Sequence, residues 1–284
     1  MLSTTKAPPT PLGGLELQLL DAGTFRLDGG AMFRVIPRVL WEARCPADEK
    51  NRILLAMRPL LVRAEDGSYV LVESGIGAAR RDARFRDMFD VREGPGLLAS
   101  LAETGVRPDQ IAKVVVTHMH FDHIGGLLGA DRTPLFPNAR LVVQAGELED
   151  AYAQCDLCKA SYVEEDWRAL KESGRLEVVE GDAEVAPGVR VVKTGGHTRA
   201  HQIVRFSSQG REGVFWGDLI PTAAHLRPHY VMAYDLYPVA CWEAKKELVP
   251  RSVDERWVHV FYHDPVAPLG RVARDGRDFR VEGI

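Results

Sequence analysis

Several function classes are set aside by what this sequence does not contain. No stretch of about 18 or more apolar residues occurs, so neither a membrane-spanning helix nor a membrane partner is expected. No run of five basic residues occurs, and the formal net charge is −4. A phosphate backbone demands clustered Lys and Arg, so nucleic acid is not an expected partner. Residues 1–11 lack the apolar core of a secretory signal, which makes the cytoplasm the default location. No Gly-, Ser- or Pro-rich linker divides the chain, and no internal repeat stands out. The expectation is a flexible or extended arm over 1–14 followed by one domain over 15–284. Cysteine is scarce, at Cys45, Cys155, Cys158 and Cys241. Cys155 and Cys158 have CxxC spacing, but without a second pair a structural zinc site lacks ligands. They read as two ordinary thiols at helical spacing.

What remains is an ordinary globular mix, with 45% hydrophobic residues, enough for one substantial core. Within it, Thr117-His118-Met119-His120-Phe121-Asp122-His123-Ile124-Gly125-Gly126 stands out. Three histidines and one aspartate fall in six positions, directly after Val114-Val115-Val116. Imidazole is the commonest protein ligand for transition metals, and carboxylate suits the same cations. A donor cluster at the end of a strand reads as a metal centre on a rigid edge. The paired glycines suggest a turn leading into a helix. Such a turn lets His118 and His120 address one ion while Asp122 and His123 address another about 3.5–4 Å away.

More donors close other β-type runs. Val189–Thr194 leads to Gly195-Gly196-His197-Thr198-Arg199-Ala200-His201, Gly213–Trp216 to Gly217-Asp218-Leu219, and Trp257–Tyr262 to His263-Asp264. No cysteine is among these donors. The set is therefore less exclusive for zinc and also suits iron, manganese or cobalt. His201 reads as a residue behind the ligands. His225, His229 and His259 have no motif support.

In this order, HMHFDH (118–123), GGHTRAH (195–201), GDL (217–219) and YHD (262–264) resemble the metallo-β-lactamase superfamily, over roughly residues 15–265. Val70–Gly77 resembles the family's strand–turn segment, with Glu73 where Asp is usual. The resemblance implies an α/β fold, an αββα four-layer sandwich with a dinuclear metal site at the edge of the two sheets. It implies His118, His120 and His197 on one divalent ion, Asp122, His123 and His263 on the other, and Asp218 bridging both. Zinc is the first expectation. It further implies hydrolysis by a metal-bridging hydroxide, with Asp218 and Asp122 as catalytic carboxylates. Nucleases of this fold carry an extra clamp, for which no long insertion exists here.

Within the superfamily, the layout most resembles the N-acyl homoserine lactonases. Chain length, Asp218 in place of a bridging cysteine, and the apolar segment 28–58 all fit. A small-molecule lactone or ester substrate and a homodimer are then expected. Those lactonases commonly carry a tyrosine three residues after the bridging Asp, where this chain has Pro221. Thr222, His225, Tyr230 and Tyr234, from loop 220–236, are candidates to replace it. Met32, Phe33, Leu226 and Met232 are candidates to accept an apolar group. The alternatives are a phosphotriester, thioester or β-lactam hydrolase, or a mononuclear iron oxidoreductase resembling the persulfide dioxygenases. Arg271, Arg274, Arg277 and Arg280 leave a glutathione thioesterase open.

Strands are expected over 15–27, 59–73, 113–117 and 139–144, and helices over 96–103, 146–173 and 239–248, the last ending at Pro250. Segment 28–58 is too apolar for an ordinary surface loop. It is expected to cover the metal site, to pack at a dimer interface or to fold onto the core.

Overall fold

β-Branched and leucine-rich runs alternate with short helices along the chain. A computed structural model describes residues 8–154, 156–276 and 278–284. The strands begin β1 (Thr10–Leu12), β2 (Leu15–Leu19), β3 (Thr24–Asp28), β4 (Arg52–Ala56), β5 (Leu60–Arg63), β6 (Tyr69–Val72), β7 (Ile111–Val115) and β8 (Arg140–Gln144). They continue β9 (Leu176–Val179), β10 (Ala183–Ala186), β11 (Val189–Lys193), β12 (Gln202–Ser208), β13 (Arg211–Phe215), β14 (Val258–Val260), β15 (Leu269–Asp275) and β16 (Asp278–Glu282). The α-helices are α1 (Gly29–Phe33), α2 (Arg38–Trp41), α3 (Ala83–Met88), α4 (Leu97–Glu103), α5 (Phe121–Ile124), α6 (Ala145–Ala153), α7 (Arg168–Glu172) and α8 (Pro238–Asp254).

Two seven-stranded sheets form the centre, in the orders β1-β2-β5-β6-β7-β8-β9 and β10-β11-β12-β13-β14-β15-β16. This is the expected αββα sandwich. Each sheet starts with antiparallel pairs and then makes a parallel crossover, β6 to β7 and β13 to β14. A topological likeness between the halves is thus present that leaves no visible repeat in the sequence. The sheets are tied near the site by Gln202. Its backbone N–H donates to Thr117 O at 2.9 Å, and its side chain donates to Val116 O at 2.7 Å.

Several element boundaries differ from expectation. Residues 10–12 pair antiparallel with β2, so part of the expected arm is an edge strand. The run 15–27 splits into β2 and β3, and β3 pairs with β4 in a separate two-stranded ribbon. The run 59–73 is the hairpin β5–β6. The helical stretch 146–173 breaks after Ala153 and resumes at Arg168. Cys158 lies in the intervening turns, while Cys155 is outside the described residues. Helix α8 passes through Pro250 to Asp254. An interior proline costs about 3 kcal/mol; the stripe Cys241, Lys245, Val249 and Ser252, buried at helical spacing, offsets that cost.

Segment 28–58 folds onto the core as α1, α2 and β4. Phe33 stacks on Trp41 at 5.1 Å, and both are buried. Val35, Val39 and Leu40 remain exposed.

Candidate metal centre

Strand β7 is a β-branched run whose end is held from both sides. The Thr117 N–H donates to Glu73 Oε1 at 2.8 Å, and Thr117 O accepts from Gln202. The chain then turns through 118–120 into α5, as the paired glycines suggested. Gly125 and Gly126 serve a further purpose: a Cβ on either would collide with the backbone oxygens of Ile76 or Ser74. Glycine here allows α5 to lie directly against the turn that carries Glu73.

All seven expected donors come together. His118, His120 and His197 form one group, Asp122, His123 and His263 another, and His118, His123 and Asp218 a third that overlaps both. His197 Nε2 lies 3.1 Å from His120 Nδ1 and 3.4 Å from Asp218 Oδ2. On the other side, His263 Nε2 lies 3.2 Å from Asp218 Oδ1 and 3.5 Å from Asp122 Oδ2. His123 Nε2 is 3.5 Å from Asp218 Oδ1. Asp218 therefore turns one oxygen toward each group. A tetrahedral site with ligand bonds of about 2.0–2.1 Å has edges of roughly 3.3 Å, close to these separations.

The outer nitrogen of three imidazoles is occupied by a protein partner. His118 Nδ1 meets Thr117 Oγ1 at 3.0 Å, His197 Nδ1 meets Asp235 Oδ1 at 2.9 Å, and His263 Nδ1 meets Ala56 O at 2.8 Å. His123 Nδ1 lies 3.3 Å from Glu73 Oε2, a charge contact without hydrogen-bond alignment. The three hydrogen bonds fix the tautomer and leave the opposite nitrogen as a lone-pair donor. His118 Nε2 and Asp218 Oδ1 are buried with no hydrogen-bond partner. Orphaned buried polar atoms are costly, and cations would satisfy them. Burial, then the neighbouring imidazoles, pushes His118 and His120 well below the usual histidine value, which keeps them neutral. Burial opposes the charge on Asp218, but His123, His263 and His197 outweigh it and hold the carboxyl well below its usual range. These donors fit a pair of divalent ions.

His201 packs behind His118 and His197 and is not among the grouped donors. Its Nε2 accepts the Asp218 N–H at 3.1 Å, and its Nδ1 meets Thr194 Oγ1 at 3.0 Å. It therefore supports the backbone of Asp218. His259 lies in the core of β14, bonded to Trp216 Nε1 at 3.1 Å.

The substrate candidates separate by burial. Met32, Phe33, Thr222, His225 and Tyr230 are buried. His225 stacks on Phe33 at 4.6 Å and bonds Thr222 Oγ1 and Met32 O at 2.8 and 2.9 Å. Burial lowers its pKa to about 3, so it is a neutral, fully partnered core histidine. Leu226 and Met232 are buried too. Tyr234 is 38% exposed. Burial, then the acidic groups Asp28 and Asp122, pushes its hydroxyl up to about 12. Arg274 pairs with Asp254 and Arg280 with Glu282 on the C-terminal hairpin, and Arg277 lies outside the described residues.

The family pattern of the metallo-beta-lactamase superfamily matches residues 60–263. The chain belongs to this superfamily. A solved structure of a probable metal-dependent hydrolase from Staphylococcus aureus is 32% identical, with a TM-score of 0.91 over 97% of this chain and 98% of that one. AidC, a dizinc quorum-quenching lactonase solved in complex with a product, shares the fold at 20% identity, with a TM-score of 0.79 over 97% of this chain and 96% of its own. The N-acyl homoserine lactonase AiiA of Bacillus thuringiensis subsp. kurstaki is 29% identical over 151 residues, 50% of this chain and 54% of that protein. The chain thus spans about half the length of the curated relatives it matches.

Three features beside the cluster carry no sequence motif. Buried Glu147 accepts the Met119 N–H at 2.9 Å, the Tyr162 hydroxyl at 3.1 Å and the Thr198 hydroxyl, joining two donor-bearing segments. Asp235 holds His197. Phe121, next to Asp122, meets Phe85 and Phe89 at 5.3 and 5.7 Å between ring centres. Phe85 and Phe89 are four apart on or just beyond a short helix, a spacing that the sequence does show.

Proposed function

We propose that this metallo-beta-lactamase-fold enzyme is a dinuclear metal-dependent hydrolase acting on a lactone or related ester. The observation that carries this is the pair of three-donor groups joined through one carboxylate, Asp218. His118, His120 and His197 would hold one divalent ion and Asp122, His123 and His263 the other, with Asp218 between them and zinc as the first candidate. When bound, such ions lower the pKa of water to about 7 and polarise a carbonyl oxygen. Asp122, whose charge reaches the Tyr234 hydroxyl, would pass a proton to the departing alkoxide. Tyr234 keeps its hydroxyl proton at neutral pH and can donate it to an oxygen of the substrate. This is the role for which Pro221 provides no group. The Phe85, Phe89 and Phe121 rings offer an apolar wall for a hydrophobic substituent. The names of the lactonase relatives support the lactone over other carbonyl substrates.

Among the described residues, no helix is long and apolar enough to cross a membrane. We further place the protein in the cytoplasm as a homodimer that pairs through exposed Val35, Val39 and Leu40. Sedimentation of wild type against Val39→Asp tests that pairing.

The reaction is tested by acid release from a panel of acyl homoserine lactones and simple γ- and δ-lactones, with chelated enzyme as control. Metal-dependent turnover is expected. Fully metallated enzyme that leaves every lactone intact rejects the lactone assignment. Phosphotriester turnover, or oxygen uptake with one iron per chain, would replace it.

A further inference from the structure

Asp235 and Lys245 lie beside the cluster but outside the donor set. Asp235 divides its carboxylate. Oδ1 accepts from His197 Nδ1 at 2.9 Å, and Oδ2 accepts the Met232 N–H at 2.7 Å. Lys245, enclosed in the buried stripe of α8, donates to Tyr230 O at 2.7 Å. Burial lowers its pKa, and Asp235, the first of the opposing groups, raises it. A buried lysine is costly to charge, and its bond to Tyr230 O, with the field of Asp235, opposes that cost.

The same stretch of chain is bonded to the donor segment through its backbone. The Leu236 N–H donates to His197 O at 3.0 Å, and the Tyr237 N–H to Gly196 O at 2.9 Å. Gly196 permits this approach: a Cβ there would lie 2.6 Å from Cys241 Sγ. Residues 230–237 are therefore fixed to His197 through Asp235 and to α8 through Lys245. Tyr234 sits in the middle of that stretch.

We propose that Asp235, on a stretch that Lys245 ties to α8 through Tyr230 O, is a positioning residue that orients His197 and couples ion occupancy at the His118–His120–His197 group to the order of residues 230–237. This rests on the metal-centre reading above. The His197 Nδ1–H is held by Asp235, which aims Nε2 at the ion. An ion that fixes the ring also fixes the carboxylate, and with it the Met232 N–H that the carboxylate accepts. By linkage, ordering that stretch must strengthen ion binding in return.

The test titrates zinc into the metal-free full chain against a chelating indicator and follows amide hydrogen exchange over 230–237 with and without zinc. Wild type should bind two ions and gain protection over 230–237. Asp235→Asn keeps one carbonyl acceptor but cannot serve both donors. It should weaken one of the two ions roughly 10–100-fold, leave the other unchanged and abolish the zinc-dependent protection. Lys245→Met, which leaves both Asp235 hydrogen bonds in place, should weaken the same ion by a smaller factor. Wild-type affinities in Asp235→Asn, equal weakening of both ions in either variant, or undiminished zinc-dependent protection overturns the proposal. Wild type that takes up no zinc rejects the metal-centre reading itself, a result distinct from those.

Discussion

Replacing Glu147 with alanine should destabilise the protein more than any substitution on its surface. The side chain is fully buried and accepts from Met119, Tyr162 and Thr198. Met119 lies between His118 and His120, and Thr198 follows His197, so the carboxylate clamps two donor-bearing segments. Alanine leaves three buried donors without an acceptor. Each orphaned group costs about 1–3 kcal/mol. Water entering the vacated space recovers part of that, which puts the expected loss at about 3–5 kcal/mol. Glu147→Gln keeps the volume and one oxygen for Met119 and Tyr162, and its amide can donate to the Thr198 hydroxyl. Its expected cost is below about 1.5 kcal/mol. Urea unfolding of the metal-free proteins measures both.

A pH series adds a second check with a definite sign. Burial raises the Glu147 carboxyl above its ordinary value of 4.5, against the pull of Thr198, Met119 and Tyr162. The folded state therefore holds this proton more tightly than the unfolded chain does. Between 4.5 and the higher folded value, the contribution of Glu147 to stability falls as pH rises. Glutamine does not titrate. The stability of wild type relative to Glu147→Gln should grow as pH drops through that window and level off below it. A Glu147→Ala loss under about 1 kcal/mol would refute the clamp, and a flat pH difference against glutamine would refute the raised carboxyl.

Asp218→Asn removes the charge shared by the two donor groups, and hydrolysis should fall by several orders of magnitude. Near-wild-type turnover with two ions bound would show that the bridge is dispensable. His201→Ala takes the acceptor from the Asp218 N–H without touching a donor, so turnover should fall roughly 10–100-fold; a loss as deep as that of His197→Ala would place His201 among the ligands. Tyr234→Phe deletes one hydroxyl at the exposed edge and should lower kcat/KM by about 1–2 kcal/mol, roughly 5–30-fold, with ion content unchanged. Unaltered kinetics would remove Tyr234 from the reaction.

Much of the centre was legible because its donors sit in short motifs at strand ends. The run 118–123 contributes four of the seven donors, and the strand before it is marked by β-branched residues. What the motifs could not show is which nitrogen of each ring faces inward. That depends on partners far along the chain: Asp235 for His197, Ala56 for His263, Glu73 for His123. Candidate substrate contacts were legible only as residue types. Met32, Phe33, His225 and Tyr230 are suitable kinds of side chain, yet the fold packs them against one another and leaves Tyr234 with a surface. Boundaries were misjudged where tertiary packing overrode a local signal. Pro250 is carried inside α8 by the buried stripe on its helix, and Gly125-Gly126 is required by contact with the turn at 74–76 as well as by chain reversal. The same physics explains why Glu147 and Lys245 escaped notice. A buried charge has meaning only through the groups it faces, and those groups are brought to it by the fold. Residues of this kind connect the donor segments to each other and to residues 230–237, so their substitution should alter ion affinity and loop order while every motif in the sequence stays intact.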